Sequence, residues 1–125
     1  MPPSLLEAFP TPTDSPIVIE HESLEFTSLC PKTGHPDFGA VTLRFQPRPA
    51  KTGGLCVELK SLKLYYQSFR NEGIFYEAVT DRIKDELVKL MNPVWLQVHT
   101  SWSGRGGIKS IIRAEHGEVP ARYQR

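Results

Sequence analysis

Cysteine, long apolar runs and excess charge of either sign are all scarce in this 125-residue chain. Two cysteines, Cys30 and Cys56, are too few for a disulfide scaffold or for a cysteine-rich structural zinc site. The chain has no run of about 18 apolar residues, so we expect no transmembrane helix and no contact with a membrane. The first residues lack the basic flank and apolar run of a secretory signal, and we therefore expect a cytoplasmic protein.

The charges nearly cancel, because 15 lysines and arginines face 14 aspartates and glutamates. Proteins that bind nucleic acid generally carry a strong basic excess, so nucleic acid is not expected as a necessary partner. The four histidines show no zinc-ligand spacing such as HExxH, and we predict no metal site. The length fits one domain, and a composition of 39% hydrophobic and 23% charged residues fits a soluble globular protein.

Proline is concentrated at the start of the chain, within residues 1–16. Proline lacks a backbone N–H and restricts the residue before it, so this stretch is predicted to be an extended N-terminal arm. Residues 17–125 are then a single folded domain. Turn-forming residues also fill positions 28–39, which we interpret as an ordered loop.

The spacing of apolar residues predicts the secondary structure of the domain. Alternation predicts four strands, at 40–46, 55–59, 94–99 and 108–114, while 17–26 could hold a further short strand. Apolar residues at steps of three and four predict two helices, within about 62–69 and 75–90. The order ββααββ indicates an α+β fold, with a four-stranded antiparallel sheet and two helices on one face. Such a sheet has two unpaired edges, which favours assembly into an oligomer.

The predicted loop contains a candidate nucleophile, Cys30, followed by Lys32, His35 and Asp37. A reactive thiolate needs partial exposure, and the group it attacks needs a nearby proton donor. The same pattern also fits a buried cysteine that anchors a loop, beside an aspartate that stabilises a turn. Both interpretations are open at this point.

Three further segments combine polar residues in ways that suit either ligand binding or ordinary structure. Glu58 could accept from a guanine-like edge while Lys60 and Lys63 meet a phosphate, or all three could belong to a solvated helix start. Glu77 could face a pocket or complement a helix dipole. The segment Gly104–Gly107 could cradle a phosphate or form a hairpin turn.

Taken together, four motifs resemble those of one known family. They are FTSLCPKTGHPDF at 26–38, ELKSLKLY at 58–65, SFRNEGIFYE at 68–77 and RGG at 105–107. Their types and order are similar to those of the NADPH-dependent 7-cyano-7-deazaguanine reductases, the QueF-type nitrile reductases. The resemblance spans about residues 20–117, which is nearly the whole domain.

The resemblance implies a reaction and a set of site residues. Cys30 would add to the nitrile carbon of the substrate and form a thioimide, while Asp37 would protonate the nitrogen. Two NADPH molecules would then reduce the carbon to the amine of 7-aminomethyl-7-deazaguanine, a step of queuosine biosynthesis in tRNA modification. The implied substrate-binding residues are Val57, Glu58, Leu59, Tyr76 and Glu77. The residues implied to hold NADPH are Lys60, Lys63, Arg105 and Gly106.

The resemblance also implies an architecture, the tunnelling fold, in which ββααββ subunits assemble into barrels. This chain resembles the short members of the family, which implies a homodecamer of two stacked pentamers with sites at subunit interfaces. One departure concerns Tyr76, where many members have histidine. Tyrosine can donate a hydrogen bond but is not a cation near neutral pH, which bears on any proton relay at this position.

Two alternatives to a reductase stay open on the sequence. One is a relative that acts on the same nitrile in tRNA and adds ammonia, which would share Cys30 and Asp37. The other is a catalytically silent, purine-binding protein of the same fold. The intact motif at 58–63 favours the reductase, because the ammonia-adding relative would not need these lysines.

Overall fold

The structure, a computed structural model, describes residues 5–124 and, at Arg105, the backbone alone. Its main feature is a four-stranded antiparallel sheet. The strands lie side by side in the order β2 (Ile19–Leu29), β3 (Pro36–Gln46), β5 (Trp95–Ser103) and β6 (Lys109–His116). The helices are α1 (Leu59–Gln67) and α2 (Tyr76–Met91), and two short strands, β1 (Ala8–Pro10) and β4 (Leu55–Val57), form a separate pair.

The hydrophobic core lies between one face of the sheet and the two helices. Alternate residues of the central strands are fully buried on this face, among them Leu43 and Val98. The apolar stripe of α2 meets them, with Val79, Ile83 and Leu87 also fully buried. The predicted α+β class, the two helices and their apolar stripes are confirmed.

The first two strands of the sheet differ from the prediction. We expected 40–46 and 55–59, whereas the sheet uses β2 and a β3 that begins at Pro36. The predicted loop at 28–39 shrinks to a turn at 30–35, because its flanks pair as a hairpin. An irregularity in the β2–β3 register between Ser23 and Phe26 breaks the alternation of β2, so the longer strand was not evident from its pattern.

The segment 55–59 leaves the sheet because the N-terminal arm pairs with it. β4 is antiparallel to β1, the Thr11 N–H donates to the Gly54 carbonyl at 2.9 Å, and the Glu58 N–H donates to the Glu7 carbonyl at 2.8 Å. Leu59, expected to end a strand, instead begins α1 and is exposed. The described part of the arm therefore packs on its own chain, with Leu6 in the core.

The other face of the sheet is polar and is crossed by one row of hydrogen bonds. Arg44 donates to Glu20 (2.6 Å) and to Gln97 (2.8 Å), and Gln97 donates to Glu115 (2.8 Å). The row joins all four strands, because these residues are direct cross-strand neighbours. Within the described part of the chain, no helix is long and apolar enough to cross a membrane.

The arm's contribution to stability can be measured at Leu6. Leu6→Ala should lower the free energy of unfolding by about 2–3 kcal/mol, because it removes a buried side chain. Phe9→Ala is the control, since Phe9 is 44% exposed against 7% for Leu6 and should lower that energy by a smaller amount, about 1 kcal/mol. Urea unfolding gives both values, and equal small effects would contradict the packing of the arm described above.

Candidate active site

The β2–β3 hairpin brings Cys30 and Asp37 to one end of the sheet. The turn between the strands is closed at its base, where the Cys30 N–H donates to the His35 carbonyl at 2.9 Å. The Gly34 N–H donates to the Cys30 carbonyl at 2.8 Å, and Gly34 has a φ of 73°, a conformation that favours glycine. Cys30 is left partly exposed, whereas Asp37 is buried on the helix-facing side of β3.

A short parallel bridge holds the segment that precedes α2 against this hairpin. The Leu29 N–H donates to the Glu72 carbonyl at 2.9 Å, and the Ile74 N–H donates to the Leu29 carbonyl at 3.0 Å. Cys30 is the next residue after Leu29, and Tyr76 lies two residues after Ile74. The bridge therefore aligns the candidate nucleophile with the first turn of α2.

The hairpin, the start of α2 and the β5–β6 connection enclose a cleft of about 340 Å³. Cys30, Asp37, Tyr76 and Glu77 line the cleft, and its wall is more apolar than polar. Two exposed apolar side chains, Phe75 and Ile108, also line it. Such a cleft suits a flat heterocycle that needs a few polar contacts.

Tyr76 is held by two contacts inside this cleft. Its ring stacks on that of Trp102, with centroids 4.1 Å apart and an angle of 7° between the planes. Its hydroxyl donates to Asp37 Oδ1 at 3.1 Å. Trp102, which is fully buried in the core, therefore also supports the site.

Glu77 lies in the first turn of α2 and is exposed towards the cleft. The residue before the helix, Phe75, makes no side-chain capping bond, so the positive end of the helix dipole faces this carboxylate. The capping and binding interpretations of Glu77 are thus compatible. A carboxylate here can accept two N–H groups from the edge of a guanine-like ring.

Glu58 has a definite structural role, because it caps the start of α1. Its two carboxylate oxygens accept from the backbone N–H groups of Lys60 and Ser61, each at 2.8 Å, and so cap α1. These two N–H groups lower the pKa of Glu58 from its ordinary value. Of its predicted partners in substrate binding, Val57 is buried and Leu59 is exposed.

A second cleft, of about 280 Å³, lies between α1 and the edge strand β2. Leu59 and Lys63 line it, together with His21 and Arg70. Lys60 and Lys63 are both exposed and stand one helical turn apart. These two amines offer favourable contacts for phosphate groups, so this surface fits the pyrophosphate of a dinucleotide.

The other predicted cofactor residues lie in the β5–β6 connection. Gly106 is exposed, with a φ of 65°, while the side chain of Arg105 lies outside the described part of the structure. Gly104 and Ile108, on either side, line the cleft that contains Cys30. Of the predicted substrate and cofactor residues, Tyr76 and Glu77 therefore line the first cleft, whereas Leu59 and Lys63 line the second.

Two residues of this region were not predicted, Gly39 and Ser110. Ser110 lines the first cleft from β6. Gly39 faces Trp102 across the β3–β5 pair, and a Cβ at Gly39 would lie 2.7 Å from the indole ring. The only signal at Gly39 was its residue type, and we had counted it as a turn former. Among the described residues, no group of three histidine, cysteine or acidic side chains is placed to hold a metal ion.

Comparison with known proteins assigns the chain to a family. The family model described as "QueF-like protein" matches residues 36–121. A protein of Anaeromyxobacter sp. (strain K), named NADPH-dependent 7-cyano-7-deazaguanine reductase, is 50% identical over 117 residues, which cover 93% of this chain and 92% of the relative. Chloroherpeton thalassium has a protein of the same name, 49% identical over 93% of this chain and 97% of its own.

Two further matches bear on identity and fold. A protein of the same name from Pelodictyon phaeoclathratiforme is 47% identical over 95% of this chain and 99% of its own length. The solved structure of the archaeosine synthase QueF-Like in the apo form superposes with a TM-score of 0.74, covering 85% of this chain and 99% of that one. At 23% identity this structural match supports the fold alone, which is the tunnelling fold predicted above.

The capping role of Glu58 predicts a specific dependence of stability on pH. Its pKa is lowered in the folded chain, so the ionised cap stabilises above the ordinary value of 4.5, and this contribution is lost as pH falls through the lower folded-state pKa. The urea midpoint of the wild-type chain should therefore fall more steeply between about pH 6 and about pH 3 than that of Glu58→Gln. The control Glu118→Gln, at an exposed site, should follow the wild type, and identical slopes for all three would contradict the cap.

Proposed function

The chain belongs to the QueF-like family, and from that membership we propose that it is an NADPH-dependent 7-cyano-7-deazaguanine reductase. It would convert the nitrile of that substrate to the primary amine in queuosine biosynthesis, in the cytoplasm. The observation that carries the proposal is the shared cleft, in which Cys30 and Asp37 face Tyr76 and Glu77. A thiol, an acid and a carboxylate at the start of a helix are the groups that this reaction needs.

The first chemical step uses Cys30 and Asp37. The Cys30 sulfur, as thiolate, forms a bond to the nitrile carbon, one π bond between carbon and nitrogen breaks, and the nitrogen takes a proton from Asp37. The product is a thioimide whose C=N bond accepts hydride more readily than a nitrile does. The partial exposure of Cys30 and the burial of Asp37 beside it support these roles.

The substrate's guanine-like edge is assigned to Glu77. Its carboxylate lies on the cleft wall and can accept paired N–H groups, while Phe75 and Ile108 offer apolar surface to the ring. The segment Val57–Leu59 is also assigned to the substrate, although in one chain it lies at the β4–α1 junction.

Each NADPH supplies one hydride when it is bound, so two NADPH molecules are needed for each nitrile. We assign Lys60 and Lys63 to its phosphates, because these two exposed amines stand one helical turn apart on α1. Arg105 and Gly106 are assigned to the same cofactor, next to the cleft of the nucleophile.

The division of these residues between two clefts supports sites built from two subunits. Leu59 and Lys63 line a cleft beside the edge strand β2, whereas Cys30 lies in the other cleft. Among the described strands, β2 and β6 form the two edges of the sheet. No described strand lies outside β6, and β2 has only the bridge from Leu29 to Gly73. Both edges carry exposed apolar residues, including Leu24 and Ile111. We propose that copies pair along these edges in rings, as two stacked pentamers, which removes the unpaired edges and completes the sites.

The direct test is the oxidation of NADPH in the presence of 7-cyano-7-deazaguanine. Purified protein should consume two NADPH per nitrile, and Cys30→Ala should lower the rate by about 10³-fold or more, since it removes the nucleophile. Cys56→Ala is the matched control and should keep most of the activity, because Cys56 is buried against Thr11. Loss of nicotinamide absorbance reports the reaction.

Other outcomes of that test separate the alternatives. A covalent substrate adduct on Cys30 without NADPH oxidation would favour the ammonia-adding reaction on the same nitrile. The absence of both oxidation and adduct would favour a purine-binding protein without catalysis. Turnover that persists in Cys30→Ala would contradict the covalent mechanism.

Shared sites can be tested by mixing two inactive variants. Cys30→Ala lacks the nucleophile, and the double variant Lys60→Ala, Lys63→Ala should bind NADPH weakly. Co-expressed subunits that assemble at random should regain about a quarter of wild-type activity, because one interface in four then joins an intact Cys30 to an intact lysine pair. The control is a chain that carries all three substitutions and is expressed alone, which should show no activity. No recovery in the mixed sample would contradict a site shared in this way.

A further inference from the structure

We propose that Thr80 and Thr100 are positioning residues of the active site, because they link Trp102 to the backbone of Tyr76 and thereby hold Tyr76 on Asp37. The inference rests on the proposed function and adds residues that lie outside the cleft wall. It depends on three hydrogen bonds and one ring stack that join β5 to the first turns of α2.

The direction of the three hydrogen bonds follows from the groups that make them. The Trp102 indole N–H can only donate, and it donates to Thr100 Oγ1 at 2.9 Å. The Tyr76 carbonyl can only accept, and it accepts from the Thr80 hydroxyl at 2.7 Å. The two threonine oxygens are 2.7 Å apart, so Thr100 must donate to Thr80. One continuous chain of donors therefore runs from Trp102 to the backbone of Tyr76.

The chain of hydrogen bonds is buried along its whole length, so we expect the loss of any one bond to have a large effect on the position of Tyr76. Thr80, Thr100 and Trp102 are fully shielded from solvent. Removal of one hydroxyl would leave its buried neighbour without a partner, and water cannot replace it without entering the core. The ring of Trp102 and the start of α2 are consequently held in one relative position.

Gly39 determines the position of the Trp102 ring from its other side. A Cβ at Gly39 would approach both the indole ring and the Ser101 carbonyl to 2.7 Å, so only glycine lets the ring lie flat there. Tyr76 stacks on this ring at 4.1 Å. The Tyr76 ring is thus fixed through its backbone by Thr80 and through its face by Trp102.

The consequence reaches Asp37 through the Tyr76 hydroxyl. This hydroxyl donates to Asp37 Oδ1, so the proton that Asp37 gives to the nitrile nitrogen is carried on Oδ2. A loosened Tyr76 would remove one of the contacts that orient the carboxyl and would misplace that proton relative to the Cys30 sulfur. A misplacement of about 1 Å can cost about 100-fold in rate even when every group is still present.

The test measures formation of the covalent adduct on Cys30 in the absence of NADPH, by mass spectrometry over time. Thr100→Val keeps the shape of the side chain but ends the donor chain, and it should slow adduct formation by about tenfold. Thr100→Ser restores the hydroxyl and should stay within about twofold of the wild type. Thr42→Val, at a buried threonine on the polar face of the sheet, is the matched control and should leave the rate unchanged.

A double-mutant comparison separates positioning from general loss of stability. Tyr76→Phe removes the bond to Asp37 and should slow adduct formation to a similar extent. Thr100→Val in that background should add no further loss, because both changes act through the same hydroxyl. The KM for NADPH should be unchanged in all variants, since none of the substitutions removes a residue that we assign to NADPH.

Two results would decide against the inference. A wild-type rate in Thr100→Val would overturn it, and so would losses from Thr100→Val and Tyr76→Phe that multiply in the double variant. If Thr100→Val does not fold, Thr80→Val tests the next link with the same expectation. Absence of an adduct in the wild-type chain would instead overturn the proposed function, on which the inference depends.

Discussion

Two backbone hydrogen bonds between the end of β2 and the segment before α2 hold the whole site in register. The bridge between Leu29 and Gly73 is the only parallel pairing among the described strands and bridges, and it joins two segments more than 40 residues apart in the chain. In the part of the chain that the structure describes, its two bonds are the only backbone hydrogen bonds between the hairpin that carries Cys30 and the segment that leads into α2. The segment is braced from outside by Arg82, which pairs with Glu72 at 2.5 Å and with Glu86 at 3.3 Å.

The elements that the sequence predicted well are those with a continuous apolar pattern. The stripe of α2 from Val79 to Leu87 is buried at each helical step, so its period is evident without the sheet. The β2–β3 hairpin was predicted less well, because Pro36, Asp37 and Gly39 are typical of turns. Their strand conformation depends on pairing with β2 and β5. The partners in β5 are distant in sequence, and those in β2 come after a register irregularity. Tertiary pairing overrides local preference in such segments.

The candidate site shows the same contrast. Cys30, Asp37 and Glu77 were identified because motifs of charged and nucleophilic residues mark them, and the structure brings all three to one cleft. Thr80 and Thr100 had no such mark. A threonine at the fourth residue after Tyr76 is ordinary in sequence, and its relation to Trp102 arises only when α2 crosses β5. Glu58 was ambiguous for another reason, since one carboxylate can cap a helix and still have lone pairs for a ligand.

Tyr76 stands where the family resemblance leads us to expect histidine, and this difference changes how the site can hold Asp37. A histidine could donate to Asp37 as a cation and exchange protons with it, whereas the tyrosine hydroxyl donates while neutral. A flat phenol ring also stacks closely on Trp102, which in turn requires the absence of a side chain at Gly39. In the mechanism that we propose, residue 76 therefore has a positioning role and proton transfer is left to Asp37. This division of labour depends on buried neighbours, because the hydroxyl reaches Oδ1 only while the ring is held against the indole.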